Sequence, residues 1–141
     1  KYESSSGAAI ERRPVRHVPV IGDVAAGTGV LAEENIEEVL PLPLDFTGDG
    51  ELFMLRVRGD SMVDLGILDG DFVVARQDTR VRNGDTVVVG LPDGEATVKT
   101  WHKQGNRVTL IPHNARLQPM EFDAGQLDVY GKVVTLLRRL D

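Results

Sequence analysis

The sequence predicts a mainly β domain: a compact, partly closed sheet assembly of many short strands. Three observations predict it. The apolar runs are short and rich in Val, Leu and Ile, as in Leu52-Phe53-Met54-Leu55-Arg56-Val57 and Thr86-Val87-Val88-Val89. Turn signals separate them at spacings of roughly 8–12 residues, as in sandwiches and barrels. There is little helical period anywhere in the chain.

Each element follows from local chemistry. Arg16 to Val24 has strand character in Val18, Val20 and Ile21, interrupted at Gly22. Ala25 to Val30 is small and glycine-rich, as a loop must be if its backbone enters a narrow cleft, although an ordinary turn has the same composition. Glu33, Glu34, Glu37 and Glu38 form a solvated acidic patch. Pro41 and Pro43 bar a helix, and Asp45 to Gly50 is expected as a loop. After the strand Leu52 to Val57, Asp69-Gly70-Asp71 turns into Phe72-Val73-Val74-Ala75, and Asn83-Gly84-Asp85 introduces Thr86 to Val89. The Gly90 to Gly94 turn makes a hairpin with the next strand, Glu95-Ala96-Thr97-Val98-Lys99-Thr100-Trp101. Gln104-Gly105-Asn106 then turns into Val108-Thr109-Leu110-Ile111. The last strand, Leu127 to Leu137, carries Val133 and Leu137 on one face and Val134 and Leu136 on the other. A strand apolar on both faces is central in its sheet or covered by something else.

Bulk properties narrow the function. At 141 residues the chain is read as one domain, residues 16–141, preceded by a polar linker over residues 1–15. It has no Cys, hence neither a disulfide framework nor a thiolate metal site, and no metal or cofactor is expected. No apolar run approaches the ~18 residues of a membrane span, so a cytoplasmic protein without membrane contact is expected. A formal net charge of −6 argues against gripping nucleic acid through its own surface. The basic groups Arg12, Arg13, Arg16 and Arg138-Arg139 are short and lie near the ends.

Two residues carry candidate chemistry. Ser61, in Arg58-Gly59-Asp60-Ser61-Met62, follows a strand and a glycine turn, a setting for a nucleophile beside free backbone N–H groups and equally for a capped turn. Lys99 sits between Val98 and Trp101, where desolvation would make a neutral amine available as a general base, while edge strands also use lysine against aggregation. The histidines are poorer bases: His17 lies in the N-terminal segment, His102 points away from the Trp101 face, and His113 follows Pro112 in an apparent loop.

Val24-Ala25-Ala26-Gly27, Gly59-Asp60-Ser61-Met62 and Thr97-Val98-Lys99, in that order, resemble the self-cleaving C-terminal domain of the LexA repressor family. The likeness extends through Ile67-Leu68-Asp69-Gly70-Asp71, Val81-Arg82-Asn83-Gly84-Asp85 and Lys103-Gln104-Gly105-Asn106. It implies a LexA/signal-peptidase-like fold, Ser61 as nucleophile, Lys99 as general base, Ala26-Gly27 as the bond cut, and Val24 and Ala25 as part of the substrate loop. It also implies a homodimer and a RecA filament on single-stranded DNA as coprotease. Operator DNA would be bound only through a winged helix-turn-helix domain that this chain lacks. Gly29 departs from the proline, and Thr100 from the arginine, often found at those positions. Rival readings are a UmuD-like self-processing polymerase subunit, a signal peptidase, disfavoured without a membrane anchor, and a non-enzymatic dimerisation module.

Overall fold

A computed structural model describes residues 13–24, 28–77 and 80–141. Most of the segment read as a linker, and Ala25, Ala26 and Gly27, therefore lie outside the described residues. Nine strands are described: β1 (Val15–Ile21), β2 (Ile36–Pro43), β3 (Leu52–Arg56), β4 (Phe72–Arg76), β5 (Thr86–Gly90), β6 (Ala96–Gln104), β7 (Arg107–Ile111), β8 (Met120–Asp123) and β9 (Asp128–Leu137). They form one sheet in the order β2-β1-β3-β4-β9-β5-β6-β7-β8. The β1–β3 pair is parallel and the other described pairs are antiparallel.

The continuous apolar runs have a simple cause: the middle of the sheet is covered on both faces. Alternate residues of β3 enter different clusters, Phe53 and Leu55 packing with Met62 and Val88, while Leu52 and Met54 pack with Val18 and Val74. In β5, Val88 faces the first cluster, and Val87 and Val89 face Trp101 and Leu110. The turn after β3 is bonded to the segment after β7, the His113 N–H donating to the Ser61 carbonyl at 2.7 Å, and those two strands are five places apart in the sheet. At about 4.8 Å per strand a flat sheet would hold them more than 20 Å apart, so the sheet curls on itself. The expected partly closed assembly is what forms.

Two features were not anticipated and two differ from expectation, each for a physical reason. The segment with Pro41 and Pro43 is a strand, β2, which tolerates proline because it is the sheet's edge. Within the expected loop Asp45 to Gly50, a single helical turn, α1 (Leu44–Thr47), closes on Gly48. The short edge strand β8 has too few residues to signal itself in sequence. β9 is central, between β4 and β5, but the pairing slips where Val74 meets Thr135 and Ala75 meets Val133. That bulge at Val134 changes the alternation, so Val134 and Leu137 share one cluster and Val133 packs in another.

Two close contacts generate predictions. A Cβ at Gly131 of β9 would lie 2.8 Å from the Arg76 carbonyl oxygen and 3.0 Å from the Phe53 ring. Gly131→Ala is expected to destabilise by about 1–3 kcal/mol in denaturant unfolding, and an unchanged midpoint would show that the strands can part there without cost. The second contact is at Asp71, 1% exposed, whose carboxylate accepts from Arg138 Nε and Nη2, each at 2.8 Å, and from the Leu68 N–H at 2.7 Å. The Arg138 hydrogen bond, helped by that of Leu68, holds the Asp71 carboxyl below its ordinary value against the opposite push of burial. A depressed carboxylate contributes stability above the unfolded-chain pKa and loses it as pH falls through the folded value. The stability lost in Arg138→Met should therefore be largest at neutral pH and shrink below about pH 4. A difference independent of pH would mean that the charge of Asp71 does not matter.

Candidate active site

β3 delivers the chain to Val57, and Gly59, at φ +84°, turns it where a side chain would be strained. The turn is held from one side by Asp69, whose Oδ1 accepts the Gly59 N–H at 2.7 Å, and by backbone bonds joining Val57 to Gly70 and Asp71. Met62, 1% exposed, anchors it in the core. Ser61 is thus left at the rim, between a turn and a buried side chain.

From the other side the turn is held by residues after β7. The His113 N–H donates to the Ser61 carbonyl at 2.7 Å, and the Asp64 N–H donates to the His113 carbonyl at 2.8 Å. Asn114 Nδ2 donates to the Asp60 carbonyl, and Arg116 pairs with the Asp60 carboxylate, both at 3.0 Å. The His113 ring lies 2.8 Å from Thr100 Oγ1, beside Lys99 in sequence, so one histidine ties the serine turn to the lysine strand. Sequence reasoning missed this role. Pro112 made the segment look like a plain loop, and a backbone pairing so distant in sequence leaves no local signal.

Lys99 lies in β6 opposite Val87 of β5, as the predicted hairpin requires. It is 7% exposed, and its amine donates to Ser61 Oγ at 3.0 Å and to Thr97 Oγ1 at 2.5 Å. Thr97 shares the lysine's face because strand side chains alternate with a period of two. Burial pushes the Lys99 amine below the ordinary lysine value, opposed by the Glu95 carboxylate, which favours the ammonium. His102, exposed beside buried Trp101, takes the opposite face as expected.

Ser61 and Lys99 lie in a cleft of about 910 Å³ bordered by Leu55, Val57, Glu95 and Thr97. Asp23 and Val24 also line it, and Val24 packs against the core cluster that contains Met62. The first residue of the expected substrate loop therefore forms part of the cleft wall. Asp23 pairs with Arg58 at 3.5 Å, linking the stem of that loop to the stem of the serine turn. Among the described residues no group of three or more His, Cys, Asp or Glu side chains could hold a metal ion, and no helix is long and apolar enough to cross a membrane.

A buried lysine amine bonded to a serine hydroxyl in a cleft can supply a nucleophile and its base. Known proteins resemble the chain over most of its length. A LexA repressor of Nocardioides sp. is 47% identical over 125 residues, covering 89% of this chain and 50% of that protein. One from Streptomyces clavuligerus is 48% identical over 124 residues (88% and 51%), and one from Acidothermus cellulolyticus 50% identical over 123 residues (87% and 44%). The chain spans about half the length of the curated relatives it matches. The Peptidase S24-like family matches residues 19–134, which include both candidate catalytic residues and the strands that carry them. With its β architecture and its cleft, the chain belongs to the Peptidase S24-like family.

Proposed function

We propose that this chain is the self-cleaving domain of a LexA-type repressor and cuts its own Ala26–Gly27 bond with Ser61 and Lys99. The observation that carries the reading is the 3.0 Å contact between Ser61 Oγ and a buried lysine amine, in a cleft that Val24 lines. In its neutral form Lys99 takes the hydroxyl proton as Ser61 Oγ attacks the Ala26 carbonyl carbon. The Ser61 N–H stabilises the oxyanion. The C–N bond breaks, the Lys99 ammonium returns the proton to the Gly27 amine, and an ester joins Ser61 to Ala26. Water, activated by the again neutral lysine, hydrolyses that ester, frees the serine and leaves a new carboxylate on Ala26.

Substrate and catalyst share one chain, so restraint matters more than affinity. Intramolecular reactions reach effective molarities of about 10⁵ M or more once geometry is right. A partner that favours the docked loop accelerates cutting by population shift and supplies no chemistry. The likeness to LexA repressors supports a RecA filament on single-stranded DNA as that partner, in the cytoplasm, after DNA damage. It also supports a homodimer and operator binding through a further, helix-turn-helix domain. Phe46, Leu136 and Leu140, apolar and exposed near the end of β9, are consistent with a dimer face. Cutting would part DNA binding from dimerisation and release the SOS genes.

The test is the rate of self-cleavage against pH, from about 6 to 10, which brackets the ordinary histidine and approaches the ordinary lysine value. A base with a depressed pKa gives a rate that rises with pH and levels off below the ordinary lysine range. Ser61→Ala and Lys99→Ala should each lower the rate by at least about 10³-fold. Glu95→Gln, which removes the carboxylate favouring the ammonium, should move the rise to lower pH. A chain that stays whole in mild alkali would instead be a non-enzymatic dimerisation module, and undiminished cutting in Lys99→Ala would exclude the lysine as base.

A further inference from the structure

The loop that carries Ala26–Gly27 leaves β1 at Gly22 and is described again from Thr28. Both stems meet one residue, Asn35, 3% exposed at the end of the 3-10 turn Glu33–Asn35. The Gly22 N–H donates to the Asn35 carbonyl at 3.0 Å. From the other stem, Thr28 Oγ1 and the Gly29 carbonyl accept from Asn35 Nδ2 at 3.0 and 2.9 Å. An amide nitrogen carries two hydrogens, so both acceptors can be served at once. The residue is itself fixed by its turn, its N–H donating to the Ala32 carbonyl at 2.9 Å and the Ala32 N–H to the Gly29 carbonyl at 3.0 Å.

These bonds join the two stems like a staple, and the outgoing stem makes two further contacts. Asp23 reaches Arg58, and Val24 packs on the core beside the cleft. The Asp23–Arg58 pair is exposed and such pairs contribute little. The Asn35 amide bonds are part-buried, with Asn35 itself 3% exposed, so water competes for them less than for the Asp23–Arg58 pair.

We propose that Asn35 is a positioning residue for self-cleavage: by joining the two stems it presents the loop to Ser61. The inference rests on the reading of Ser61 as nucleophile and of Ala26–Gly27 as its target. Asn35 acts through the loop and leaves the activation of the serine to Lys99. Its loss should therefore separate two properties that damage to the dyad lowers together.

The experiment measures both in the 141-residue chain. One is the first-order rate of self-cleavage in mild alkali. The other is the rate at which a fluorophosphonate probe labels Ser61, a reaction in which Oγ bonds to phosphorus and fluoride leaves. Labelling reports the activated hydroxyl without using the loop as substrate. Asn35→Ala should slow self-cleavage about tenfold or more, since misplacement of reacting groups by an ångström is this costly, while labelling stays equal or rises. Thr28→Val, which keeps the volume and removes one acceptor, is a milder second variant and should shift the two rates in the same directions. Self-cleavage at the wild-type rate in both variants, or a parallel fall of cleavage and labelling, overturns the role of Asn35. A wild-type chain that is neither cut nor labelled overturns the reading of Ser61 instead.

Discussion

The rest of the site depends on a lysine amine held out of water with a serine hydroxyl as its partner. An ordinary lysine is protonated at neutral pH and useless as a base. Lys99 is buried in β6, and the surrounding strands disfavour its charge. Burial of that kind is tolerable only if the amine keeps hydrogen-bond partners, and Ser61 and Thr97 provide them. The group proposed to activate the serine is thus also the one the serine helps to satisfy. Glu95 moderates the balance by favouring the ammonium, which fits the restraint that the proposed reaction requires.

Around that pair the fold supplies two kinds of rigidity. The serine turn is gripped from both sides, by Asp69 and by the segment His113 to Arg116, and Met62 pins it to the core. The loop is secured at its base by Asn35, between the strand that leads into it and the turn that follows it. On the proposed reading the catalytic side is preformed, while the substrate side is fixed at its stems. Such a division lets a small bias in loop position control the rate without rebuilding the site. The curled sheet makes it possible, because it brings β1, which leads into the loop, over the face where β6 carries the lysine.

Much of this was legible in the sequence. Strands buried on both faces announce themselves as unbroken apolar runs, so β3, β4 and β5 stood out, and the Gly90–Gly94 turn fixed the β5–β6 hairpin. Lys99 was visible as a residue type out of keeping with its strand and Ser61 as a serine after a glycine turn, and the resemblance joined them. What remained hidden depends on tertiary context. Prolines at 41 and 43 speak against a helix but not for an edge strand. The bulge at Val134 answers to register with β4, which no local pattern encodes. His113 matters through a backbone pairing with Ser61, and Asn35 through bonds to residues that look like ordinary loop.

The central claim is that the serine turn attacks its own chain at one bond, and the new amino terminus made by the chain in mild alkali tests it most directly. N-terminal sequencing of the fragments should find one product beginning at Gly27, absent when Ser61 is replaced by Ala. A principal fragment beginning at any other residue, or the same fragment from Ser61→Ala, would contradict the account.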